Sequence, residues 1–554
     1  MRPAEREPPP SVTEYRRIGG GWTHGVIGRF AKSCAAASAI AALISGLALL
    51  FATGGALRSG APSIGLAADA RSTGGVLNVT LRVEAGALIL PMGIRLHTRL
   101  YNRAWPSPAL RAAPGDRLNI LLQNKLGADV ASANDATRLG FRQANTTNLH
   151  LHGVYDDARH DDTFTRVHPG DSKLYSYLLH PGSGTTLIYY HPHTDGSTSV
   201  QSVGGMGGAL VVSDAAQEAA LGLPIASDHV INLQAFDFDP SSADYVLTQL
   251  ENKGTSALPP RLHNPSGFTG VLLVVNGGEP VRETLPAGSW IRLRIVNAVV
   301  GGNGNLNLTF IPTSSDGDGN GGGSCSLVSL AHDGVWLRSP RPSRWLLLPP
   351  GGRAEVVIGC EQPGTYTFGS ASSERFGGTL TGSHPIVVVQ ATGGERRALP
   401  PLPQRLPGAP AHYGDLRGID SSSVASRHDI RFSNPDGANV VNERLYNSSH
   451  VLTRLKLGSL VEWRLLSVES LGSTLKLHPY HQHMTHFQVV SMSGVDTAAL
   501  SVEEGDWRDT LPLYGAGAYT IRFVAPFEGL MTVHCHIQRH SEQGMMALAL
   551  IERS

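Results

Sequence analysis

The sequence predicts an all-β protein made of several sandwich domains. Residues Val76–Val83 alternate at period two, which is the spacing of a half-buried strand. The 64 glycines and 35 prolines suit many short strands joined by turns. No helical period is sustained across residues 76–124. Because 554 residues are too many for one core, we expect three or four domains.

The overall composition is that of a globular protein without a nucleic-acid partner. Hydrophobic residues make up 41% and charged residues 16% of the chain, which excludes a disordered chain. The formal net charge is +0 and the pI is near 7.4. A nucleic-acid-binding protein would normally carry a basic face, so we expect no such partner.

The N-terminus predicts export. Residues 1–32 carry an excess of arginine and lysine, and the uncharged stretch 33–57 is apolar and long enough to span a bilayer. This helix is either a cleaved signal peptide or a retained membrane anchor, followed by a linker over residues 58–75. Arg16-Arg17 hints at twin-arginine export, but the export route stays open. We expect a periplasmic, cell-envelope or extracellular protein.

Two of the four cysteines allow a disulfide. Cys34 lies in the apolar N-terminal run, and Cys535 lies among metal-binding residue types. Cys325 and Cys360 remain, and they are either a disulfide pair or two unrelated buried thiols. The sequence leaves both alternatives open.

The C-terminal run from His534 to Met545 has the residue types of a copper site. Cys535, His540 and Met545 provide a thiolate, an imidazole and a thioether, which suit copper better than zinc. On a strand, Cys535 faces one way while His534 and His536 face the other. One strand is therefore predicted to serve two metal centres.

Three further histidine motifs supply partners for those centres. Each contains a pair of histidines two positions apart, which places the pair on one face of a strand. The third motif adds a histidine of the opposite parity. The motifs are His150/His152, His191/His193 and His478/His481/His483.

The remaining regions look structural. Residues 216–392 again show short strands, and their histidines lack ligand spacing (His229, His263, His332, His384). The Asp/Gly/Asn loop 316–323 is predicted to be flexible, with calcium binding as a remote alternative. Residues 393–427 are rich in proline and glycine and are predicted to be an extended linker.

Together, the four motifs resemble those of the multicopper oxidases, laccase-like enzymes of bacterial type with three cupredoxin domains. The resemblance covers most of the chain after about residue 76. It implies three consecutive cupredoxin-like Greek-key β-sandwiches. Domain 1 (76–215) would carry type 2 and type 3 copper ligands, and domain 2 (216–392) would be structural. Domain 3 (428–554) would carry the type 1 site and further type 2 and type 3 ligands.

The resemblance implies four copper ions and a role for each ligand. His478, Cys535 and His540, with Met545 axial, match the type 1 site. His150 and His481 match the type 2 site. The six remaining histidines match the binuclear type 3 pair: His152, His191, His193, His483, His534 and His536. Cys535 with His534 and His536 would carry electrons between the centres.

The implied activity is a copper-dependent oxidase. It would couple four one-electron oxidations of a phenolic or aromatic donor to reduction of O₂ to two waters. A metal-ion oxidase acting on Fe(II), Mn(II) or Cu(I) is the alternative, although the eight methionines form no rich segment of the kind seen in cuprous oxidases. A copper-free cupredoxin scaffold is a remote alternative. A two-copper nitrite reductase is disfavoured because it would leave histidines without a role.

Two acidic residues bear on proton delivery. Asp161 resembles an acidic position that the family uses near the type 2 copper, but a solvated loop acid is an equal alternative. The family often has an acid directly after the second type 1 histidine. Here that position is Ser541, and Glu542 follows it.

Overall fold

The computed structural model describes residues 69–129, 143–239, 264, 266–301, 304–311, 324–372, 380, 382–468, 477–515 and 517–553. The predicted basic segment 1–32, the helix 33–57, most of the linker 58–75 and the loop 316–323 lie outside these ranges. In the part that is described, no helix is long and apolar enough to cross a membrane.

Six sheets form three consecutive sandwiches, as the all-β, three-cupredoxin expectation requires. The first sandwich packs the sheet β1-β4-β9-β8-β6 against the sheet β3-β2-β5-β7. Its strands are β1 Ala70–Arg71, β2 Val76–Ile89, β3 Arg95–Tyr101, β4 Leu110–Ala112, β5 Arg117–Asn124, β6 His150–His152, β7 Ser172–Leu178, β8 Thr186–His191 and β9 Gly208–Val212. Helix α1 (Thr198–Val203) lies between β8 and β9, and α2 (Ala215–Leu221) follows β9.

The second sandwich packs the sheet β11-β10-β13-β18-β15-β16 against β12-β20-β19-β14-β17. Its strands are β10 Ile225–Asp237, β11 Val271–Val275, β12 Val281–Pro286, β13 Ser289–Asn297, β14 Leu306–Ile311, β15 Cys325–His332, β16 Val335–Ser343, β17 Leu346–Leu348, β18 Arg353–Cys360, β19 Gly364–Ala371 and β20 Ser383–Thr392. Cys325 and Cys360 lie opposite each other on β15 and β18 and form a disulfide. The structure therefore selects the disulfide over two separate thiols.

The third sandwich packs the sheet β22-β21-β24-β29-β26-β27 against β23-β31-β30-β25-β28. Its strands are β21 Ser426–Ser433, β22 Val440–Val441, β23 Val451–Lys456, β24 Leu460–Val468, β25 Leu477–Gln482, β26 Phe487–Ser493, β27 Trp507–Arg508, β28 Thr510–Tyr514, β29 Ala518–Val524, β30 Gly529–Cys535 and β31 Met546–Glu552. Two short helices complete it, α3 (Thr497–Leu500) and α4 (Gln538–Glu542).

Short one-turn 3₁₀ segments lie at three turns: Pro91–Gly93, Ser421–Ser423 and Pro435–Gly437.

Each sandwich has its own apolar core between its two sheets. Strand β5 shows the cause, because every second residue from Leu118 onward is buried. The largest core lies in the third sandwich, where Trp463 of one sheet and Met531 of the other belong to the same cluster. Face-to-face packing of half-buried sheets therefore accounts for the architecture.

The sheets are mixed, whereas the strand pattern alone predicts an antiparallel sandwich. The first long strand of each sandwich pairs parallel with a later strand: β2 with β5, β10 with β13, and β21 with β24. In each sheet these partners are separated in sequence by other strands. The chain therefore crosses between sheets and returns in the same direction, an order that period-two alternation does not encode.

Candidate metal centres

Side chains at the end of β30 contact two separate groups of candidate metal ligands. His534 and Cys535 end the strand and His536 follows, and all three are buried. Strand β25 lies beside β30, with Tyr480 opposite Cys535 and His481 opposite His534. The alternation predicted from the sequence is thus the alternation found. One face meets the mononuclear group, and the other meets the histidine cluster.

The mononuclear group consists of His478, Cys535, His540 and Met545. The Nδ1 atoms of His478 and His540 each lie 3.8 Å from Cys535 Sγ. Helix α4 presents His540, and the Met545 amide then donates to the His540 carbonyl at 2.9 Å. Cys535 and Met545 are each 0% exposed. Two imidazoles and a thiolate form the close group, and the Met545 carbonyl accepts from the Cys535 amide at 3.0 Å. A His₂Cys donor set with a methionine suits copper.

The histidine cluster lies between the first and third sandwiches. His150 opens β6 directly across from His191, which ends β8. The ring nitrogens fall into close groups that each draw on more than one motif. The cluster contains His150, His152, His191, His193, His481, His483, His534 and His536.

Two trios within the cluster have the form of metal sites. The Nε2 of His534 lies 3.1 Å from Nε2 of His193 and 3.2 Å from Nε2 of His483. A second trio is His150, His152 and His191, and Nδ1 of His152 also lies 3.0 Å from Nε2 of His536. Distances this short between ring nitrogens are expected where several imidazoles point at shared cations.

Three histidine rings of the cluster show whether it fits a metal. The Nδ1 atoms of His150, His191 and His481 are each held by an oxygen, at 2.6, 2.8 and 2.9 Å. Their Nε2 atoms are buried and have no hydrogen-bond partner among the described residues. A buried unpaired polar atom costs about 1–3 kcal/mol. Copper ions in the cluster would remove that cost, so these residues fit the metal.

His152 faces the cluster with Nδ1, unlike the three rings above. Its Nε2 lies 3.1 Å from Asp509 Oδ1 and 3.1 Å from Thr510 Oγ1. Its Nδ1 therefore faces the cluster. The other seven rings face the cluster with Nε2. Second-sphere partners of this kind fix the tautomer and orientation of a ligand ring.

The surroundings of seven of the eight cluster histidines favour the neutral ring. Burial lowers the pKa of His534 to about 3. Burial, followed by repulsion from neighbouring charges, lowers the pKa of the other shifted rings well below its ordinary value: His152, His191, His193, His481, His483 and His536. Metal coordination requires deprotonated imidazole nitrogens, so this environment favours binding.

Asp161 lies against the cluster. Its Oδ2 is 2.6 Å from His150 Nδ1, and its Oδ1 accepts from the Leu151 amide at 3.0 Å. The side chain is buried, so it is not a solvated loop acid. Its contact with a candidate type 2 ligand agrees with the position expected from the resemblance, and its role in proton delivery remains a prediction.

Glu542, the acid that follows Ser541 in the sequence, lies on the same helix as His540 of the mononuclear group. Glu542 is buried and accepts hydrogen bonds from the Ser199 hydroxyl and amide of helix α1. Burial raises the pKa of Glu542 to about 8. His486, which lies near the third histidine motif but outside the predicted ligand set, has its nitrogens 2.8 Å from Tyr413 Oη and 2.7 Å from the Asp333 carbonyl.

Sequence reasoning missed two residues of the site. Asp509, in the Trp507–Thr510 stretch, contacts His152, and the buried Arg353 of the second sandwich contacts Asp509. In the sequence, each appears only as a charged residue beside strand-forming residues. Arg353 begins β18, and Asp509 lies between β27 and β28. The histidines that the sequence set aside in the second sandwich form no metal-like group in the described part of the chain.

The comparisons with known proteins agree with this geometry. Two family models, both described as multicopper oxidase, match residues 421–554 and 138–217. The multicopper oxidase mco of Staphylococcus aureus is 22% identical over 477 residues, covering 86% of this chain and 89% of that protein. A laccase of Bacillus stratosphericus is 23% identical, with 80% and 89% covered.

Two further matches widen the range of relatives. The cell division protein FtsP of Xenorhabdus nematophila is 24% identical over 421 residues, covering 74% of this chain and 75% of that protein. A solved multicopper oxidase from Campylobacter jejuni, described as a metallo-oxidase, superposes with a TM-score of 0.63 at 19% identity. It covers 89% of this chain and 94% of its own, and it shows a shared fold.

Proposed function

The chain belongs to the multicopper oxidase family, and from that premise we propose that it oxidises phenolic or related aromatic donors with O₂ as the acceptor. The family is a class of copper oxidoreductases. Four one-electron oxidations would be matched to the reduction of one O₂ to two waters. The observation that carries this proposal is the pair of buried centres joined by His534-Cys535-His536.

The proposed ligand roles combine the family resemblance with the groups of close ligand atoms. His478, Cys535, His540 and Met545 would hold type 1 copper, and His150 with His481 would hold type 2 copper. The trio His193, His483 and His534 would hold one type 3 ion. His152, His191 and His536 would hold the other, and Nδ1 of His152 lies 3.0 Å from Nε2 of His536.

Bound copper would supply the one-electron redox chemistry that these organic side chains lack. The chain provides the connection between the sites. Cys535 reaches the mononuclear group with its sulfur and is covalently joined to His534 and His536 of the cluster. Electrons would therefore pass from the mononuclear group to the cluster over a few bonds. Asp161 would hold the His150 ring and supply a carboxylate beside it for protons.

The surface over the mononuclear group favours an organic donor. The loop 434–450 packs on the turn before Met545, with the Tyr446 amide donating to the Gly544 carbonyl at 3.0 Å. Leu445 is 58% exposed and lies so close that a Cβ on Gly544 would be 2.5 Å from its Cδ2. An exposed apolar side chain beside the electron-entry site suits an aromatic ring.

A metal-ion donor is the second candidate, because the same loop carries exposed carboxylates. Glu443 and Asp436 are exposed, and carboxylates are suitable ligands for Fe(II) and Mn(II). The metallo-oxidase from Campylobacter jejuni shares the fold. The nearer acid, Glu542, is buried and bonded to Ser199, so it offers no open ligand site.

Steady-state kinetics of the copper-loaded protein separates the two donor classes. We expect a substituted phenol to be oxidised with higher kcat/KM than Fe(II), Mn(II) or Cu(I). Leu445→Ser should raise KM for the phenol about tenfold, because roughly 1.4 kcal/mol of apolar contact is lost. Glu443→Gln is the matched control and should leave the phenol kinetics unchanged. A metal ion preferred by orders of magnitude, and sensitive to Glu443→Gln, would replace the phenol assignment.

A copper-free scaffold with a structural role is the remaining alternative, and one named relative is a cell division protein. The intact set of ligands opposes it. Metal analysis decides the question, since we expect about four coppers per chain and a blue protein. A fully loaded but colourless protein would contradict the oxidase proposal.

We also propose that the protein acts outside the cytoplasm. The Cys325–Cys360 disulfide requires an oxidising compartment in most organisms, and the N-terminal sequence has the charge pattern of an export signal. Fractionation of cells that express the full chain should place it in the envelope or the medium. Recovery of the active protein only from cytosol would contradict this.

A further inference from the structure

A buried salt bridge connects the second sandwich to the histidine cluster. Arg353 is the first residue of β18 and is 0% exposed. Its Nη1 donates to Asp509 Oδ1 at 2.7 Å and its Nη2 to Asp509 Oδ2 at 2.5 Å. This is a two-point contact between a guanidinium and a carboxylate, which fixes orientation as well as distance.

The same guanidinium joins all three sandwiches. Beyond Asp509 of the third sandwich, it donates to the Leu187 carbonyl of the first sandwich at 3.3 Å. It also donates to the Gly351 and Asp333 carbonyls of the second at 3.2 and 3.0 Å. These contacts occupy the five N–H donors of the guanidinium. Lysine has three donors and no planar fork, so it cannot make the same set.

Asp509 transmits this anchoring to two ligands. Its Oδ1 lies 3.1 Å from Nε2 of His152, a ligand from the first sandwich. Its backbone carbonyl lies 2.9 Å from Nδ1 of His481, a ligand from the third.

Two glycines allow the second sandwich to come this close. Gly351 has φ +77°, and a Cβ there would lie 2.6 Å from the ring of His536. Gly153 has φ +98°, and a Cβ there would overlap the Arg353 guanidinium and lie 3.0 Å from Asp509 Oδ2. Both positions need glycine for conformation and for space. The backbone of the second sandwich therefore forms part of the cluster's wall.

We propose that Arg353 is a positioning residue for the type 2 and type 3 centres, acting through Asp509 on His152 and His481. The inference rests on the proposed copper-binding function. It makes the second sandwich part of the functional site, although that sandwich contributes no ligand among its described residues. The guanidinium holds Asp509, and Asp509 holds Nε2 of His152, which leaves Nδ1 facing the cluster.

The test is copper loading of Arg353→Lys, with Arg292→Lys as the matched control. Arg292 lies on β13, the neighbour of β18, and is a buried arginine paired with Glu355 and, at 2.6 Å, with Glu218. We expect Arg353→Lys to bind the type 2 and type 3 coppers about 10–100-fold more weakly in competition with a chelator. It should keep its blue colour, and its type 2 signal in electron paramagnetic resonance should change. Arg292→Lys should lose stability but keep copper affinity and spectrum.

The outcomes separate this inference from the proposed function. Wild-type protein that binds no cluster copper would remove the proposed function itself. An Arg353→Lys protein with wild-type copper affinity and spectrum would overturn the positioning role. Equal copper loss in Arg292→Lys would overturn it too, since general loosening would then explain the result. If Arg353→Lys does not fold, Asp509→Asn, which keeps the shape but removes the ion pair, must show the same selective loss.

Discussion

The mononuclear group and the histidine cluster share two strands, β25 and β30, but they are built differently. The mononuclear group lies wholly in the third sandwich, where β25, β30 and α4 present His478, Cys535 and His540. The cluster takes ligands from the first and third sandwiches and is braced by Arg353 from the second. One site is therefore positioned by a single core, and the other depends on how three domains dock.

This difference implies different vulnerabilities. A change in the mononuclear group should act locally, because its ligands are held by the pairing of adjacent strands. The cluster should respond to changes at distant interface residues as well as to changes at its ligands. In His534-Cys535-His536 the ligands of the two sites are consecutive residues, so that run should be where the two sites can be uncoupled most cleanly.

Cys535→Ser has the largest expected effect on donor oxidation. The hydroxyl replaces the thiolate that the trigonal site requires, so the blue colour and the oxidation of any donor should be abolished. The cluster ligands remain in place, so about three coppers should still bind. Metal analysis, visible absorption and O₂ uptake measure the three outcomes. Turnover retained in this variant would contradict the assigned electron path.

His481→Ala should produce the converse pattern. It removes a type 2 ligand whose ring is held by the Asp509 carbonyl, while leaving the mononuclear group intact. We expect loss of type 2 copper and of O₂ reduction, with the blue colour retained. A blue protein that accepts electrons from the donor but does not consume O₂ is the expected product. Simultaneous loss of colour would show that the two sites are not independently built.

Asp161→Asn should have an intermediate effect. Asparagine keeps the shape but removes the charge 2.6 Å from His150 Nδ1. Turnover should fall about 10–100-fold, in line with other outer contacts of metal ligands. Stopped-flow measurements without O₂ should show that the donor reduces the blue site at the wild-type rate. Asp162→Asn is the control, since Asp162 bonds Lys173 at 2.6 Å instead of a cluster histidine.

The two sites also differ in how far sequence could predict them. The ligand residues are recognisable because histidine, cysteine and methionine at strand and turn spacings are chemically distinctive. Period-two alternation correctly assigned Cys535 and His534 to opposite faces. The all-β class followed from the same alternation, although the parallel pairing of β2 with β5 did not.

The supporting contacts were beyond sequence reasoning for a physical reason. Arg353 and Asp509 are 156 positions apart, and their pairing exists only after two sandwiches dock. The nitrogen that His152 turns toward the cluster depends on that same docking. Local pattern encodes which face a side chain occupies, whereas it does not encode which residue of another domain lies opposite.

The smallest expected effect concerns the pH dependence of stability in the copper-free protein. Burial lowers the pKa of His534 to about 3 and that of its shifted neighbours well below 6.5. In the unfolded chain these rings titrate near their ordinary pKa of about 6.5. Below that pH the unfolded state binds more protons than the folded state. Stability should therefore fall as pH drops from about 6.5 toward 3.

Urea midpoints of the copper-free protein at pH 7 and pH 5 measure this slope. Replacing one buried ring, in His483→Gln, should flatten the slope, because one fewer neutral histidine must be kept from protonation. His450→Gln is the control, since His450 is exposed and lies outside the cluster. Copper-bound protein should show a steeper loss at low pH, because protons then also compete with the metal for the same nitrogens. Equal slopes in the His483 and His450 variants would mean that the cluster does not govern acid stability.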